Sequence, residues 1–292
     1  MIRWLSMRFP IAALALTVAL AADGDWEKFP DGSSGRVTSF QGAGGVTIAA
    51  YVRKPAGDGP LPLVINLHGG GPNVQNTYGY GRAKGGLVAQ YLAEGWAVYS
   101  MDLRGEPRSA PMDPVEYDDT QAGIEAARKL PFVDGERIAL TGGSHGGHVM
   151  NRMAARVNAR CAVLYSPTYI DTSQMQRAIA VEKDPKVVER LKLIMSFVDQ
   201  LKGPAREAFD KASVLDEAPR VRCPLLIIDG GTDISLPLWM VREYEARLRA
   251  AGKAVETYLP AVGDHGFYGS SSPEAKEAQQ RTLAFFKKYL GK

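Results

Sequence analysis

The chain has 292 residues, 45% of them hydrophobic and 23% charged, which fits one large globular domain with a substantial core. Its formal net charge of +3 is small for this length, and the absence of a basic run or an aromatic-interleaved basic stripe argues against nucleic-acid binding. Four histidines and two cysteines, without metal-ligand or C-x-x-C spacing, argue against a zinc or redox centre.

Residues 1–22 differ in kind from the rest. Arg3 and Arg8 precede an apolar run at 11–20, and the small-x-small sequence at 19–21 follows. This pattern predicts a secretory signal peptide and a secreted or periplasmic mature protein; an uncleaved N-terminal anchor is the alternative. Residues 23–292 are then expected to form one domain, with no second apolar stretch suited to a membrane helix. In an oxidising compartment Cys161 and Cys223 either pair or remain two buried thiols.

Short apolar runs alternate with amphipathic stretches along the mature chain. The runs predict strands at 46–52, 63–67, 96–101, 137–141, 161–165, 225–228 and 255–259. The stretches predict helices at 85–93, 117–130, 148–157, 237–251 and 273–290. This alternation indicates a mostly parallel sheet covered by helices on both faces.

The interval 166–222 breaks this rhythm. It contains helical patterns at 187–200 and 204–212 and no convincing strand. Because it follows a strand end, we interpret it as a helical cap insertion over the site. A peripheral helical excursion without substrate contact is the alternative.

Ser144 is the candidate nucleophile. It stands in Gly142-Gly143-Ser144-His145-Gly146-Gly147, between the strand at 137–141 and the next helix. A hydroxyl exposed at a sheet edge requires a sharp strand-to-helix turn, where neighbouring backbones come too close for side chains two residues away. The G-x-S-x-G pattern is weak alone and becomes specific in this position.

A glycine loop, His68-Gly69-Gly70-Gly71-Pro72, directly follows the strand at 63–67. Its glycines allow a close backbone approach and present an amide, which with the amide of His145 supplies the two donors of an oxyanion hole. Any of the three glycines could donate, and we favour Gly70. A merely flexible loop is the alternative.

Two further segments supply a carboxylate and a histidine. Asp229-Gly230-Gly231-Thr232-Asp233 closes the strand at 225–228, and Gly263-Asp264-His265-Gly266-Phe267 follows the last strand. A serine nucleophile needs a histidine base, and that histidine needs a carboxylate to fix its tautomer. The chain order Ser144, Asp233, His265 suits this role. Asp229 and Asp264 are the competing carboxylates.

The remaining histidines and two arginines have plainer interpretations. His145 is expected to point away from the Ser144 hydroxyl, His148 to pack within its helix, and His68 to brace the glycine loop. Arg104 and Arg108 either contact an anionic part of a substrate or, as we favour, tie loops together through nearby carboxylates such as those of residues 102 and 106.

Taken together, these motifs resemble the α/β-hydrolase superfamily. Over about residues 45–290 the chain is similar to the catalytic domain of the prolyl oligopeptidase family and to dienelactone-hydrolase-like single-domain esterases. The resemblance implies a mostly parallel eight-stranded sheet with a helical cap. It also implies a Ser144, Asp233 and His265 triad, with an oxyanion hole at Gly70 and His145.

The expected activity is hydrolysis of carboxylic esters through an acyl-enzyme, without metal or cofactor. Few mature residues precede the glycine loop, so the β-propeller usual in prolyl oligopeptidases is not expected, which favours esters over peptides. Ser144 also argues against dienelactone hydrolysis, for which those enzymes use cysteine. The alternatives are a small serine peptidase acting on short peptides and a non-catalytic binding protein. The expected partner is a small-molecule or oligomeric ester; substrate-binding residues and oligomeric state stay unassigned.

Overall fold

A computed structural model describes residues 24–57, 59–70, 77–104, 115–168, 171–211 and 213–291. The predicted signal peptide, Gly71 and Arg108 lie outside these ranges. Within them the strands are β1 Glu27–Lys28, β2 Ser34–Gln41, β3 Thr47–Lys54, β4 Leu61–Leu67, β5 Ala97–Met101, β6 Val133–Gly143, β7 Cys161–Tyr165, β8 Leu225–Ile228 and β9 Val255–Tyr258. The helices are α1 Thr77–Gly81, α2 Gly86–Ala93, α3 Val115–Arg128, α4 His145–Arg156, α5 Thr172–Val181, α6 Pro185–Val198, α7 Pro204–Asp210, α8 Leu238–Ala250 and α9 Pro273–Leu290.

The strands form one sheet in the spatial order β1-β2-β3-β5-β4-β6-β7-β8-β9. In this spatial order, neighbouring strands pair antiparallel from β1 through β2 and β3 to β5. They pair parallel from β5 through β4, β6, β7 and β8 to β9. The predicted mostly parallel sheet is therefore confirmed, with one correction to its size. Eight strands were expected, and the described residues form nine because Glu27 and Lys28 pair with Gly35 and Ser34 at the antiparallel edge.

Side chains alternate between two cores, one on each face of the sheet. In β4, Leu63, Ile65 and Leu67 join one core and Val64 joins the other, as the two-residue period of a strand requires. Helices α3, α4 and α8 cover the first core, and α2 and α9 cover the second. Burial on both faces explains why the central strands are continuous apolar runs.

The insertion at 166–222 is helical where the structure describes it. It contains α5, α6, α7 and a 3-10 turn at Leu215–Arg220, and α5 was not predicted. Glu182 accepts a hydrogen bond from the indole of Trp239 in α8 (3.2 Å), and Arg190 donates to Ser235 beyond β8 (3.3 Å). The insertion thus packs beside the loop that follows Asp233, while its role as a cap remains a prediction.

The two cysteines lie in different cores. Cys161 belongs to the α2 and α9 core, Cys223 belongs to the opposite one, and both are buried free thiols. Because the sheet separates the two side chains, the structure favours two thiols over a disulfide. Burial raises the pKa of both thiols, that of Cys223 to about 12.

Candidate active site

The predicted site residues follow neighbouring strands of the sheet. The glycine loop follows β4, Ser144 follows β6, Asp233 lies beyond β8 and His265 beyond β9. Strands β4, β6, β7, β8 and β9 are consecutive and parallel, so their carboxyl ends share one edge. Polar groups from distant parts of the chain therefore meet there, as is usual for open α/β sheets.

Ser144 occupies a strained turn of one residue between β6 and α4. Its φ of 53° and ψ of −121° lie where non-glycine residues are rare. A Cβ on Gly142 would stand 2.6 Å from the carbonyl carbon and oxygen of Gly146. The glycines two residues either side of Ser144 thus permit the close approach that the turn requires.

Ser144, His265 and Asp233 form one line of hydrogen bonds. His265 Nε2 lies 2.8 Å from Ser144 Oγ, and its Nδ1 lies 2.6 Å from Asp233 Oδ2. The other oxygen of Asp233 accepts from the amides of Ser235 (2.6 Å) and Leu236 (3.1 Å). Burial acts to raise the pKa of Asp233, but the hydrogen bonds and charge of His265 outweigh it and hold that pKa below its ordinary value. An ionised Asp233 can fix the proton of His265 on Nδ1.

The two competing carboxylates are placed differently. Asp264 is exposed. Asp229 is fully buried, and its Oδ1 accepts a hydrogen bond from the hydroxyl of Ser166 at 2.8 Å. Ser166 directly follows β7 and was not identified from the sequence. A bond between residues 63 apart depends on the β7–β8 register, which no local pattern reveals.

The glycine loop lies against the turn that carries Ser144. A Cβ on Gly69 would stand 3.4 Å from the Ser144 Cβ, and one on Gly70 would stand 3.6 Å from the His145 Cβ. His145 is the first residue of α4, where helix amides have no partner within the helix. His68 braces the loop as predicted, with Nδ1 2.7 Å from the Gly69 carbonyl oxygen.

His145 and His148 belong to a buried polar group behind the turn. His145 Nε2 lies 2.9 Å from Glu116 Oε2, and its ring stacks on His148 at 6.1 Å between centroids. His148 lies between the Tyr117 hydroxyl (2.9 Å) and the Thr168 carbonyl oxygen (2.7 Å). Burial, then the charge of neighbouring groups, lowers the pKa of His148 to about 3, so its ring is neutral. Sequence patterns did not identify Glu116.

Arg104 ties loops together, as we favoured from the sequence. It donates two hydrogen bonds of 2.7 Å to the carboxylate of Asp119 and one of 2.7 Å to the Ala43 carbonyl oxygen. Asp119 is buried in α3 and was not among the carboxylates named from the sequence. The ion pair anchors the end of β5 on α3.

A cavity of about 350 Å³ adjoins the site on the α2 and α9 side. Gly69 and Gly143 contribute backbone to its wall, and Tyr80, Tyr165 and Tyr268 contribute aromatic rings. Within the described ranges, no three His, Cys, Asp or Glu side chains gather as a metal site requires. None of the helices described is long and apolar enough to cross a bilayer.

This fold and these strand-end residues define an α/β-hydrolase. The model of the prolyl oligopeptidase family matches residues 82–292, and the chain belongs to that family. The predicted resemblance is therefore confirmed.

Individual relatives differ in how much of their length the chain spans. It is 28% identical to the uncharacterized peptidase YuxL of Bacillus subtilis over 80% of the chain, but spans only about a third (35%) of that relative. It is 26% identical to a protein of Salmonella typhimurium provisionally named a carboxymethylenebutenolidase, over 90% of the chain and 91% of the relative. The solved acylaminoacyl peptidase of Pyrococcus horikoshii superposes with a TM-score of 0.71 at 20% identity, over 89% of this chain and 42% of that one.

Proposed function

We propose that this hydrolase is a serine hydrolase that cleaves carboxylic esters. Ser144 is the nucleophile, His265 the general base and then acid, and Asp233 the carboxylate that orients His265. The observation that carries the proposal is the hydrogen-bonded line through these three side chains, with separations of 2.8 and 2.6 Å. Its geometry suits proton transfer from a serine hydroxyl.

The reaction takes two steps on the same residues. His265 Nε2 takes the proton of Ser144 as Oγ attacks the ester carbonyl, and returns it to the departing alkoxide as the acyl-enzyme forms. Water then gives a proton to His265 as its oxygen attacks the acyl carbonyl, and the proton returns to Ser144 as the acid leaves. Asp233 remains ionised and stabilises the imidazolium in both steps.

The amides of His145 and Gly70 are proposed to bind the oxyanion of both tetrahedral intermediates. The proximity of Gly70 to His145 supports this pairing, since a Cβ on Gly70 would stand 3.6 Å from the His145 Cβ. Each such donor typically contributes about 3–4 kcal/mol to transition-state stabilisation. The contact between Glu116 Oε2 and His145 Nε2 (2.9 Å) helps to hold the first turn of α4 in position.

Relatives support esters over peptides. The Salmonella typhimurium relative, which matches along nearly its whole length, carries a name for the hydrolysis of a butenolide, which is a cyclic ester. The peptidase relatives match over 35% and 42% of their length. A small serine peptidase acting on short peptides is the alternative, because the same triad chemistry cleaves amides.

Parallel kinetics separate the two activities. The purified chain is assayed with a p-nitrophenyl acyl ester and with aminoacyl and dipeptidyl p-nitroanilides, and kcat/KM is compared. We expect turnover of the ester, with anilide turnover no higher than that of Ser144→Ala. Anilide turnover comparable to or better than ester turnover would replace the ester proposal with the peptidase alternative.

We also propose export of the protein, from the signal-peptide pattern of residues 1–22. N-terminal sequencing of the protein recovered from the periplasm or medium of expressing bacteria tests this. A mature N-terminus near residue 22 is expected. Retention in the cytoplasm with the original N-terminus intact would contradict the proposal.

A further inference from the structure

A second carboxylic acid is buried behind Asp233. Asp229 directly follows β8 and is 0% exposed, and Asp233, four residues later, is 6% exposed. The Asp233 amide donates a hydrogen bond to the Gly230 carbonyl oxygen (3.1 Å), and this turn folds Asp233 back beside Asp229. Two ionised carboxylates in one buried place repel strongly, so such a pair tends to hold a single negative charge.

The hydrogen bonds of Asp229 indicate which acid carries the proton. Its Oδ1 accepts from the Ser166 hydroxyl (2.8 Å) and from the Gly230 amide (2.9 Å). Its Oδ2 is buried and has no donor among the residues described. A buried carboxylate oxygen without a donor is costly, whereas a protonated Oδ2 becomes a donor itself.

Asp233 has the opposite environment. Its Oδ1 accepts hydrogen bonds from two backbone amides, and its Oδ2 is hydrogen-bonded to the His265 ring. All of these partners favour the ionised form of Asp233. Burial first, and then the charge of Asp233, raises the pKa of Asp229 to about 8. Near neutral pH the charge therefore belongs to Asp233 and the proton to Asp229.

Asp229 also connects the loop that carries Asp233 with the turn that carries Ser144. Ser166 has a φ of 39°, and besides Ser144 it is the one non-glycine residue with positive φ in the described chain. Its hydroxyl is held by Asp229 and its amide donates to the Ile228 carbonyl (2.7 Å). The carbonyl of the preceding residue, Tyr165, accepts from the Ser144 amide (2.8 Å).

We propose that Asp229 is a positioning residue for the catalytic triad: as a neutral acid it donates a hydrogen bond from Oδ2 to the Asp233 carboxylate and holds Ser166 through Oδ1. This inference rests on the proposed triad function. Loss of the Asp229 proton at alkaline pH places a second negative charge beside Asp233 and replaces the hydrogen bond with repulsion. Tyr268, the other titratable group influenced by both acids, stays neutral because burial and their charges raise its pKa to about 12.

The neutral isostere Asp229→Asn tests the inference, because its amide can donate to Asp233 while its oxygen accepts from Ser166. The readouts are kcat and KM for a p-nitrophenyl ester, and the rate of Ser144 labelling by a fluorophosphonate, from pH 6 to 9.5. We expect wild type to lose activity around pH 8, and Asp229→Asn to keep kcat within about threefold at pH 7 without that alkaline fall. Asp229→Ala should lower kcat at least about tenfold with little change in KM. Asp264→Asn removes an exposed carboxylate beside His265 and serves as the matched control with an unchanged pH profile.

Three results would overturn the inference: a loss of more than about tenfold for Asp229→Asn at pH 7, the same alkaline fall in this variant as in wild type, or no such fall in wild type. The comparison between wild type and Asp229→Asn does not depend on the Ala variant folding. Wild type that cleaves anilides in preference to esters refutes the ester proposal alone, since labelling still tests Asp229. Wild type that reacts with neither substrate nor probe refutes both proposals.

Discussion

Gly146 lies so close to His68 that a Cβ on Gly146 would stand 2.3 Å from the His68 carbonyl oxygen. The Leu67 carbonyl oxygen would be equally near, at 2.3 Å. The first turn of α4 therefore rests directly on the end of β4 and on the start of the glycine loop. Both proposed oxyanion donors, at His145 and Gly70, depend on this contact between backbones.

Gly146→Ala is expected to separate the two backbones. We predict a loss of about 1–3 kcal/mol in the free energy of unfolding from overpacking. A fall in ester turnover of at least about 100-fold is expected because the oxyanion donors move. Urea unfolding and initial rates measure the two effects. The matched control is Gly24→Ala, since Gly24 lies outside the cavity wall and a Cβ added there would come no closer than 3.5 Å to its neighbour Val37. A Gly146→Ala variant as stable and active as the control would contradict the proposed packing.

Asp233→Asn is expected to preserve the fold and remove most activity. The Asn oxygen can still accept from the amides of Ser235 and Leu236, but its amide cannot stabilise the imidazolium of His265. A fall in kcat of about 10³–10⁴-fold is predicted, with circular dichroism unchanged. Asp264→Asn should keep wild-type kcat. If Asp233→Asn kept kcat within tenfold of wild type, a residue other than Asp233 would have to be the carboxylate that orients His265.

His148 is expected to make the protein less stable in acid. Its ring is neutral in the folded chain, with a pKa near 3, whereas in the unfolded chain the ordinary value of 6.5 applies. As pH falls through 6.5 the unfolded chain binds a proton that the folded chain does not bind. The free energy of unfolding is therefore unaffected by His148 above about pH 6.5 and decreases as pH falls from 6.5 towards 3, with a limiting slope of about 1.4 kcal/mol per pH unit.

Thermal unfolding between pH 7 and 4.5 measures this effect. His148→Gln should show a smaller decrease in Tm with acidification than wild type. Tyr117→Phe removes the hydroxyl that hydrogen-bonds His148 without removing the titrating ring. This control should lower Tm at every pH and leave the slope unchanged. Equal slopes for wild type and His148→Gln would show that His148 is protonated in the folded state.

Cys161 and Cys223 are expected to be thiols in protein purified without reductant, since they lie in cores on opposite faces of the sheet. Ellman's reagent should detect both thiols of the chain in guanidinium chloride and neither in the native protein within minutes. Complete absence of thiols after denaturation would demonstrate a disulfide.

Much of the fold was predictable because its central strands carry a strong local signal. Strands β4, β5, β7 and β8 are largely apolar runs with glycine or proline close by, and alternation with amphipathic helices indicated a parallel sheet. The edge was harder to predict. Strand β2 mixes polar and apolar residues, and β1 has two residues whose pairing depends on the position of β2. Helix α4 begins at His145, three residues earlier than predicted, because Gly146 and Gly147 weaken its sequence pattern.

The hydrogen-bonded line of the site was likewise predictable from motifs, since Ser144, Asp233 and His265 each follow a recognisable strand end. The groups that surround it were not. Glu116 reaches His145 only through the packing of α3 on α4, and Ser166 reaches Asp229 only through the β7–β8 register. Buried polar contacts between distant segments have no local sequence pattern, and they need the tertiary structure to be seen.

Covalent labelling tests the central claim most directly. The folded protein is treated with a fluorophosphonate and digested, and the modified residue is located by mass spectrometry, with Ser144→Ala and Ser196→Ala treated in parallel. Ser196 is an exposed serine in α6 and serves as the control. We expect one adduct, on Ser144, in wild type and Ser196→Ala, its loss in Ser144→Ala, and loss of ester hydrolysis with it. Absence of an adduct on Ser144 in folded, wild-type protein would contradict the assignment of this chain as a serine hydrolase.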